Sequence, residues 1–318
     1  MEVILDKLIP LCFLIIFGVC LRRGDYFEET AYARLQNFIV NVCIPCMMFS
    51  SFCDFALDLR YLAIVGCFFL LMGIYMAVGY AAYKLLHLSC DFFPFFVTAF
   101  GFGFMGLPLF VTVFGAENAG YITVLGMGHE LFIAIVFLPL LQVVMAGKGF
   151  QPRQVGKSLA SPLMIMVAAG LLSQFTGLTP LLQANVIGAG LLSAIDALGG
   201  LTLVLAMVLI GYRLNFSDTA NLRVSAGYAL ARMAINLGVG ALFKLLVLDR
   251  VSAGMEIAAS PLFNHGFYLI IVQFSSLLLV MFVGNYRSRR EQEIVNNATV
   301  ITMLLAMALS IGYMALFV

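Results

Sequence analysis

The sequence predicts an all-α polytopic membrane protein: ten transmembrane helices in two inverted five-helix repeats, with helices 4 and 9 broken and crossed. Three observations carry this prediction. Of 318 residues, 63% are hydrophobic and only 10% charged, with a mean hydropathy of +1.06, whereas a soluble domain carries roughly 25% charged residues. The apolar residues fall into ten runs of about 20, the length a helix needs to cross hydrocarbon. The fourth and ninth runs are interrupted by glycine and proline at matching places, and paired interruptions of this kind point to a transport site.

In chain order the runs cover roughly residues 5–22, 34–53, 61–84, 92–114, 120–146, 159–176, 185–212, 224–248, 253–284 and 297–317. The first reads as a retained span rather than a signal peptide, because no small-residue cleavage site follows it. The ninth is too long for one straight crossing at 1.5 Å per residue and predicts a broken or strongly tilted element. Loops after odd-numbered spans hold Arg22, Arg23, Arg34, Lys84, Lys148, Arg153, Lys157, Arg213, Arg223, Arg287, Arg289 and Arg290; the other side holds Lys7, Arg60, Lys244 and Arg250. This bias places the odd-span loops in the cytoplasm and both termini outside, in the plasma (inner) membrane of the cell. Five spans per half then make the halves inverted: 1–147 and 159–318, joined by a cytoplasmic linker at 148–158.

The fourth run contains Gly101-Phe-Gly103-Phe-Met-Gly106-Leu-Pro108-Leu-Phe110, the ninth Gly254-Met-Glu256-Ile-Ala-Ala-Ser-Pro261-Leu-Phe263. Each reads Gly, six residues, Pro-Leu-Phe. A proline lacks an N–H and clashes with the carbonyl four residues back, and glycines add backbone freedom. Irregular backbone survives in a membrane only inside protein or beside a watery cavity. The breaks are therefore expected at Gly101, Gly103, Gly106, Pro108 and Pro261. Pro10/Gly18 and Pro162/Gly170 echo each other at nearly the same offset. Pro45 in the second span has no proline counterpart in the seventh, where Gly199-Gly200 is expected to soften the helix.

Ionisable residues inside spans are costly and mark function. Glu130 lies midway along the fifth span, where a carboxylate can be held protonated and released when wetted, as a coupling group requires. His129, also a candidate for proton or ion coupling, points about 100° away on the helix, toward a different partner. Asp196 beside Gly199 is an ion or proton candidate, or else the partner of Arg232 or Arg213. Arg232 suits a substrate carboxylate through a bidentate guanidinium, or else snorkels to the interface. Glu256, a coupling candidate or else a surface residue, and Asn264 and His265, expected to line the substrate site, flank the second expected break. Asn41, four residues before Pro45, is the natural donor to a backbone group that the proline frees, or else a substrate contact. Gly73, Gly79, Gly188, Gly190, Gly238 and Gly240 read as close helix contacts. Cys43-Ile-Pro-Cys46 lies within an apolar run and reads as packing. The net charge of +1 argues against a nucleic-acid partner, and no cofactor is implied beyond a proton or sodium as coupling ion.

These residues resemble the auxin efflux carrier family, which includes plant auxin exporters and bacterial permeases for malate, malonate and related acids. The resemblance rests on Phe104-Met-Gly-Leu-Pro-Leu109, on Asn37-Phe38 with Ile44-Pro-Cys-Met-Met-Phe-Ser-Ser51, and on Phe114-Gly-Ala-Glu117. It implies two helices crossing at broken midpoints, half-helix N-termini facing an anion, and a homodimer. Family members usually carry an asparagine where this chain has Gly101, and small polar residues in the ninth span where it has Pro261 to His265. The expected function is secondary transport of a small organic anion, proton-coupled, by alternating access. The alternative is a sodium-coupled symporter or a cation/proton exchanger of similar architecture. An intramembrane enzyme is disfavoured, because no nucleophile–base set or H-E-x-x-H motif is present.

Overall fold

The structure, a computed structural model, describes residues 2–53, 59–145, 162–214 and 219–317. The expected linker at 148–158 lies outside the described residues. The helices are α1 (Glu2–Arg23), α2 (Glu29–Phe38), α3 (Ile44–Cys53), α4 (Leu62–Leu85), α5 (Phe93–Thr98), α6 (Leu107–Phe114), α7 (Ala119–Phe132), α8 (Leu138–Met145) and α9 (Pro162–Thr176). They continue with α10 (Leu178–Gln183), α11 (Val186–Arg213), α12 (Thr219–Phe243), α13 (Asp249–Val251), α14 (Glu256–Ala259), α15 (Pro261–Ile271), α16 (Leu277–Tyr286) and α17 (Arg289–Phe317). Among the described residues, five continuous helical stretches are long and apolar enough to cross a membrane: Leu62–Leu85, Ala119–Met145, Val186–Tyr212, Thr219–Val251 and Arg289–Met314. They coincide with the third, fifth, seventh, eighth and tenth runs of the sequence.

Prolines are absorbed by a recurring local device. Single π-helical turns occupy Ile39–Cys43, Phe102–Gly106 and Ile133–Phe137. Each leads into an α-helix whose second residue is proline: Pro45, Pro108 and Pro139. Widening the preceding turn makes room for the ring and removes the demand for the missing N–H, so the chain keeps its direction through the proline. Pro108 therefore sits after an interruption rather than causing a stop. Asn41, exposed on the first of these turns, donates its side-chain amide to the Asn37 carbonyl at 2.9 Å, one turn behind the position expected from Pro45.

The helices sort into two bundles. In one, α1 runs along α11, while α9 and α11 both pack on α3. Close approach is enforced by glycine: a Cβ on Gly18 would strike the Val208 carbonyl, one on Gly211 the Ile15 carbonyl, and one on Gly199 would lie 2.9 Å from the Met47 Cα. In apolar surroundings such tight backbone contact is what holds helices together. Gly199-Gly200 does not soften the helix as expected, since α11 passes through both without a break. In the second bundle α4 packs on α5 and α7, α15 on α7, and α12 and α16 on α17. Gly79 abuts Pro94 and Gly240 the Tyr75 hydroxyl, as close contacts, whereas Gly190 and Gly238 have nothing within 4 Å.

The second interruption is not where Pro261 predicted it. Pro261 is the first residue of α15, with the Ser260 hydroxyl accepting from the Leu262 N–H at 3.2 Å. Proline is well suited to that place, because the first N–H of a helix has no intrahelical partner. The helix then runs unbroken to Ile271, and the backbone becomes irregular over residues 272–276 before α16 begins. The repeated Gly-x6-Pro-Leu-Phe thus marks two different local structures.

Candidate functional site

The two interruptions, Ala99–Gly101 and 272–276, meet deep in the second bundle. There the backbone forms one short antiparallel bridge between Phe100 and Ser275. The Gly101 N–H donates to the Phe274 carbonyl at 2.9 Å, and the Ser276 N–H donates to the Ala99 carbonyl at 3.2 Å. Each broken helix thus satisfies peptide groups of the other, which answers the cost of exposing them to an apolar interior. Gly101 is required by the crossing itself. A Cβ there would lie 2.6 Å from the Phe274 ring, so the aromatic ring occupies the space that an asparagine side chain would need.

Arg232 of α12 completes the crossing. It is fully buried, and its guanidinium donates to the carbonyls of Phe96, of Val97 at 2.6 Å, of Ala99 at 2.9 Å and of Gln273 at 3.2 Å. It also lies 5.6 Å and 5.1 Å from the centroids of the Phe96 and Phe100 rings. Phe96 and Val97 belong to the last turn of α5, where the helix dipole is negative, and Ala99 and Gln273 follow just beyond the ends of α5 and α15. The cation neutralises both ends at once. The guanidinium does not snorkel to an interface, and its hydrogen-bond partners are these carbonyls rather than Asp196. The Arg213 side chain lies outside those described.

With the C-terminal ends covered, the opposite ends of the interruptions turn to a cavity of about 390 Å³ between the two bundles. From the first bundle it is lined by Met47, Met48 and Ser50 of α3 and by Asp196, Gly199, Gly200 and Leu203 of α11. From the second come Phe100 and Phe102, His129 and Glu130 of α7, Ile133, Ser276 and Leu278. Ser276 caps α16, its hydroxyl accepting from the Leu278 N–H at 3.3 Å. Glu130 is partly exposed, with its side chain at 18%. Asp196 is exposed, and the buried Ser50 hydroxyl oxygen has no hydrogen-bond partner. Among the described lining residues there are two carboxylates and no lysine or arginine.

His129 links this cavity to the crossing. It is buried, at 2% exposure. The Phe100 N–H donates to its Nε2 at 3.1 Å, and its Nδ1 faces Glu130 Oε1 at 3.2 Å. An Nε2 that accepts carries no proton, so the neutral ring holds its proton on Nδ1, toward the carboxylate.

The structure therefore brings Gly101, His129, Glu130 and Asp196 to one place, with Arg232 immediately behind. Gly103 and Gly106 lie in the π-turn leading away, Gly106 against the Gln273 side chain. Pro45 is buried in α3 just ahead of Met47. Asn264, His265 and Glu256 do not line the cavity. Asn264 and Glu256 border a separate cavity of about 440 Å³ with Lys244 and Asp249. The His265 Nδ1 pairs with the Tyr313 hydroxyl at 2.9 Å, and its ring stacks on Phe114 at 5.4 Å between centroids. Sequence reasoning missed Gln273, Ser275 and Ser276. Their signal is three polar residues within four positions of an otherwise apolar run, about twelve residues beyond the proline that drew attention.

The profile of a family described as "Membrane transport protein" matches residues 3–149. No curated protein matches the chain. The matched part includes the first interruption, the π-turn before Pro108, and His129 with Glu130. Over that part the chain is similar to membrane transport proteins, and with its apolar helices this points to a multi-pass membrane protein engaged in transport.

Proposed function

We propose that the chain is a secondary transporter of a small organic anion, coupled to protons, that works by moving one bundle against the other. The observation that carries this reading is the cavity between the bundles, where Glu130 and Asp196 face the N-terminal ends of the two interrupted helices. Those ends favour an anion. With no described lysine or arginine in the lining, two ionised carboxylates oppose one, by several kcal/mol at a separation of about 4 Å and partial burial. An anion therefore binds well only when a carboxylate carries a proton, so proton and anion move together. On this reading the chain has ten spans in two inverted sets of five, with both termini outside, and works as an organic-acid permease.

A second reading is favoured by the same pair of carboxylates. Two acids without a fixed cation also suit a sodium ion or another cation, as in a cation/proton exchanger. Reconstituted proteoliposomes separate the two. Labelled malate, malonate, lactate and an indole acid are supplied under an imposed pH or sodium gradient, with wild type beside Glu130→Gln and Asp196→Asn. The anion reading expects counterflow driven by a pH gradient, with Glu130→Gln uncoupling it by about tenfold or more, a loss of at least ~1.4 kcal/mol of coupling. Sodium or proton exchange without anion movement replaces it with the cation reading.

A further inference from the structure

His129 touches both halves of the apparatus. On one side its Nδ1–H faces the Glu130 carboxylate, which opens to the cavity; on the other its Nε2 receives the Phe100 N–H from the first interruption. Phe100 is in turn the residue bridged to Ser275 of the second interruption. Only one place remains for a further proton on the imidazole, and it is the atom that accepts from Phe100. Protonation there would set a donor against a donor at 3.1 Å, and the bond would be lost.

We propose that His129 is a positioning residue that transmits protonation of the cavity to the crossing backbone. In the neutral state the imidazole holds Phe100 in register with Ser275. When Nε2 gains a proton, Phe100 keeps its own hydrogen but loses its acceptor, and the imidazolium is retained by the Glu130 carboxylate through Nδ1–H. Phe100 then lacks its side-chain anchor, and the two interruptions are left joined by Arg232 and by the bonds from the Gly101 and Ser276 N–H groups. The charged groups around the ring are Glu130 on the same helix, Asp196 of α11 across the cavity, and Arg232 of α12, 5.1 Å from the centroid of the neighbouring Phe100 ring. Tyr75 of α4 meets Phe100 edge-on, and α3 and α16 present Met47, Met48, Ser50, Ser276 and Leu278. The hydrogen-bond switch stands on geometry alone; its consequence for transport rests on the proton-coupled reading above.

The test is amide hydrogen exchange of peptides covering Phe100, in lipid nanodiscs at about pH 8 and about pH 5.5, on either side of the ordinary imidazole range. Each rate is normalised to the same peptide unfolded at that pH. Wild type is expected to lose protection by about tenfold or more on acidification. His129→Gln, whose amide oxygen can accept but not titrate, is expected to change by less than about twofold. Equal protection at both pH values in wild type, or the same loss in His129→Gln, overturns the proposal. Should that variant fail to fold, ¹⁵N spectra of the wild type supply an independent readout. There are three histidines, His87, His129 and His265, and the first and last are assigned by their glutamine variants. A His129 ring protonated on Nε2 and bare on Nδ1 at the higher pH also overturns it. An exchange result as expected, without movement of any tested anion, removes the substrate reading and leaves the switch standing.

Discussion

The two interruptions do the same job by different means. At the first, the chain itself is ill-suited to a continuous helix: Gly101 to Pro108 combine three glycines with a proline, and a residue other than glycine at 101 would collide with Phe274. At the second, Val272-Gln-Phe-Ser-Ser276 contains neither glycine nor proline. Its departure from the helix is maintained by the bridge to Phe100, by Arg232 on the Gln273 carbonyl, and by the Ser276 cap that restarts the helix. A break can thus be written locally, or imposed by partners that satisfy the peptide groups it frees.

The sharpest way to break this comparison is Arg232→Gln, which strips donors from both interruptions at once. Four buried carbonyls lose a charged donor, and a loss of about 3 kcal/mol or more is expected, read as a fall in the thermal midpoint of the purified protein in detergent. An unchanged midpoint would mean that the guanidinium is not what holds the crossing. Gly101→Asn comes next and acts on the first interruption only. Overpacking against Phe274 is expected to cost about 1–3 kcal/mol, with part of it recovered in the Phe274→Leu background, as coupled neighbours require. Additive losses in the double variant would deny the contact.

Ser276→Ala acts on the second interruption. Loss of the cap on the Leu278 N–H is expected to cost about 1 kcal/mol and to lower the melting midpoint less than Gly101→Asn does. The smallest effects are expected where the sequence pattern promised most. Pro261→Ala at the start of α15 should stay within about 0.5 kcal/mol and leave counterflow unaltered. A strong transport defect there would return Pro261 to the mechanism. Ser275→Ala, which removes a buried hydroxyl without a hydrogen-bond partner, should be neutral or slightly stabilising on the same scale.

Much of the fold is legible in the sequence. Composition and run length are strong signals because hydrocarbon tolerates few charges and dictates helix length. They located the five long apolar helices and the interrupted fourth segment. Glu130 and Asp196 were legible for the same reason, as acids far from any span end. The Pro108/Pro261 echo misled because proline has two opposite uses, following a widened turn in one case and starting a helix in the other. The polar cluster at Gln273, Ser275 and Ser276 was visible but unremarkable, since small polar residues are common between packed membrane helices.

By itself, then, the sequence determined an apolar helical chain, the acids within it, and one interruption that glycine and proline make locally favourable. Only the tertiary structure decided the partner of that interruption, the division into two bundles with the cavity between them, and the roles of Arg232 and His129. Local propensity acts over a few residues. Where a freed carbonyl finds its donor, or an imidazole its acceptor, depends on segments as far apart as Phe96 and Arg232, which only packing brings together.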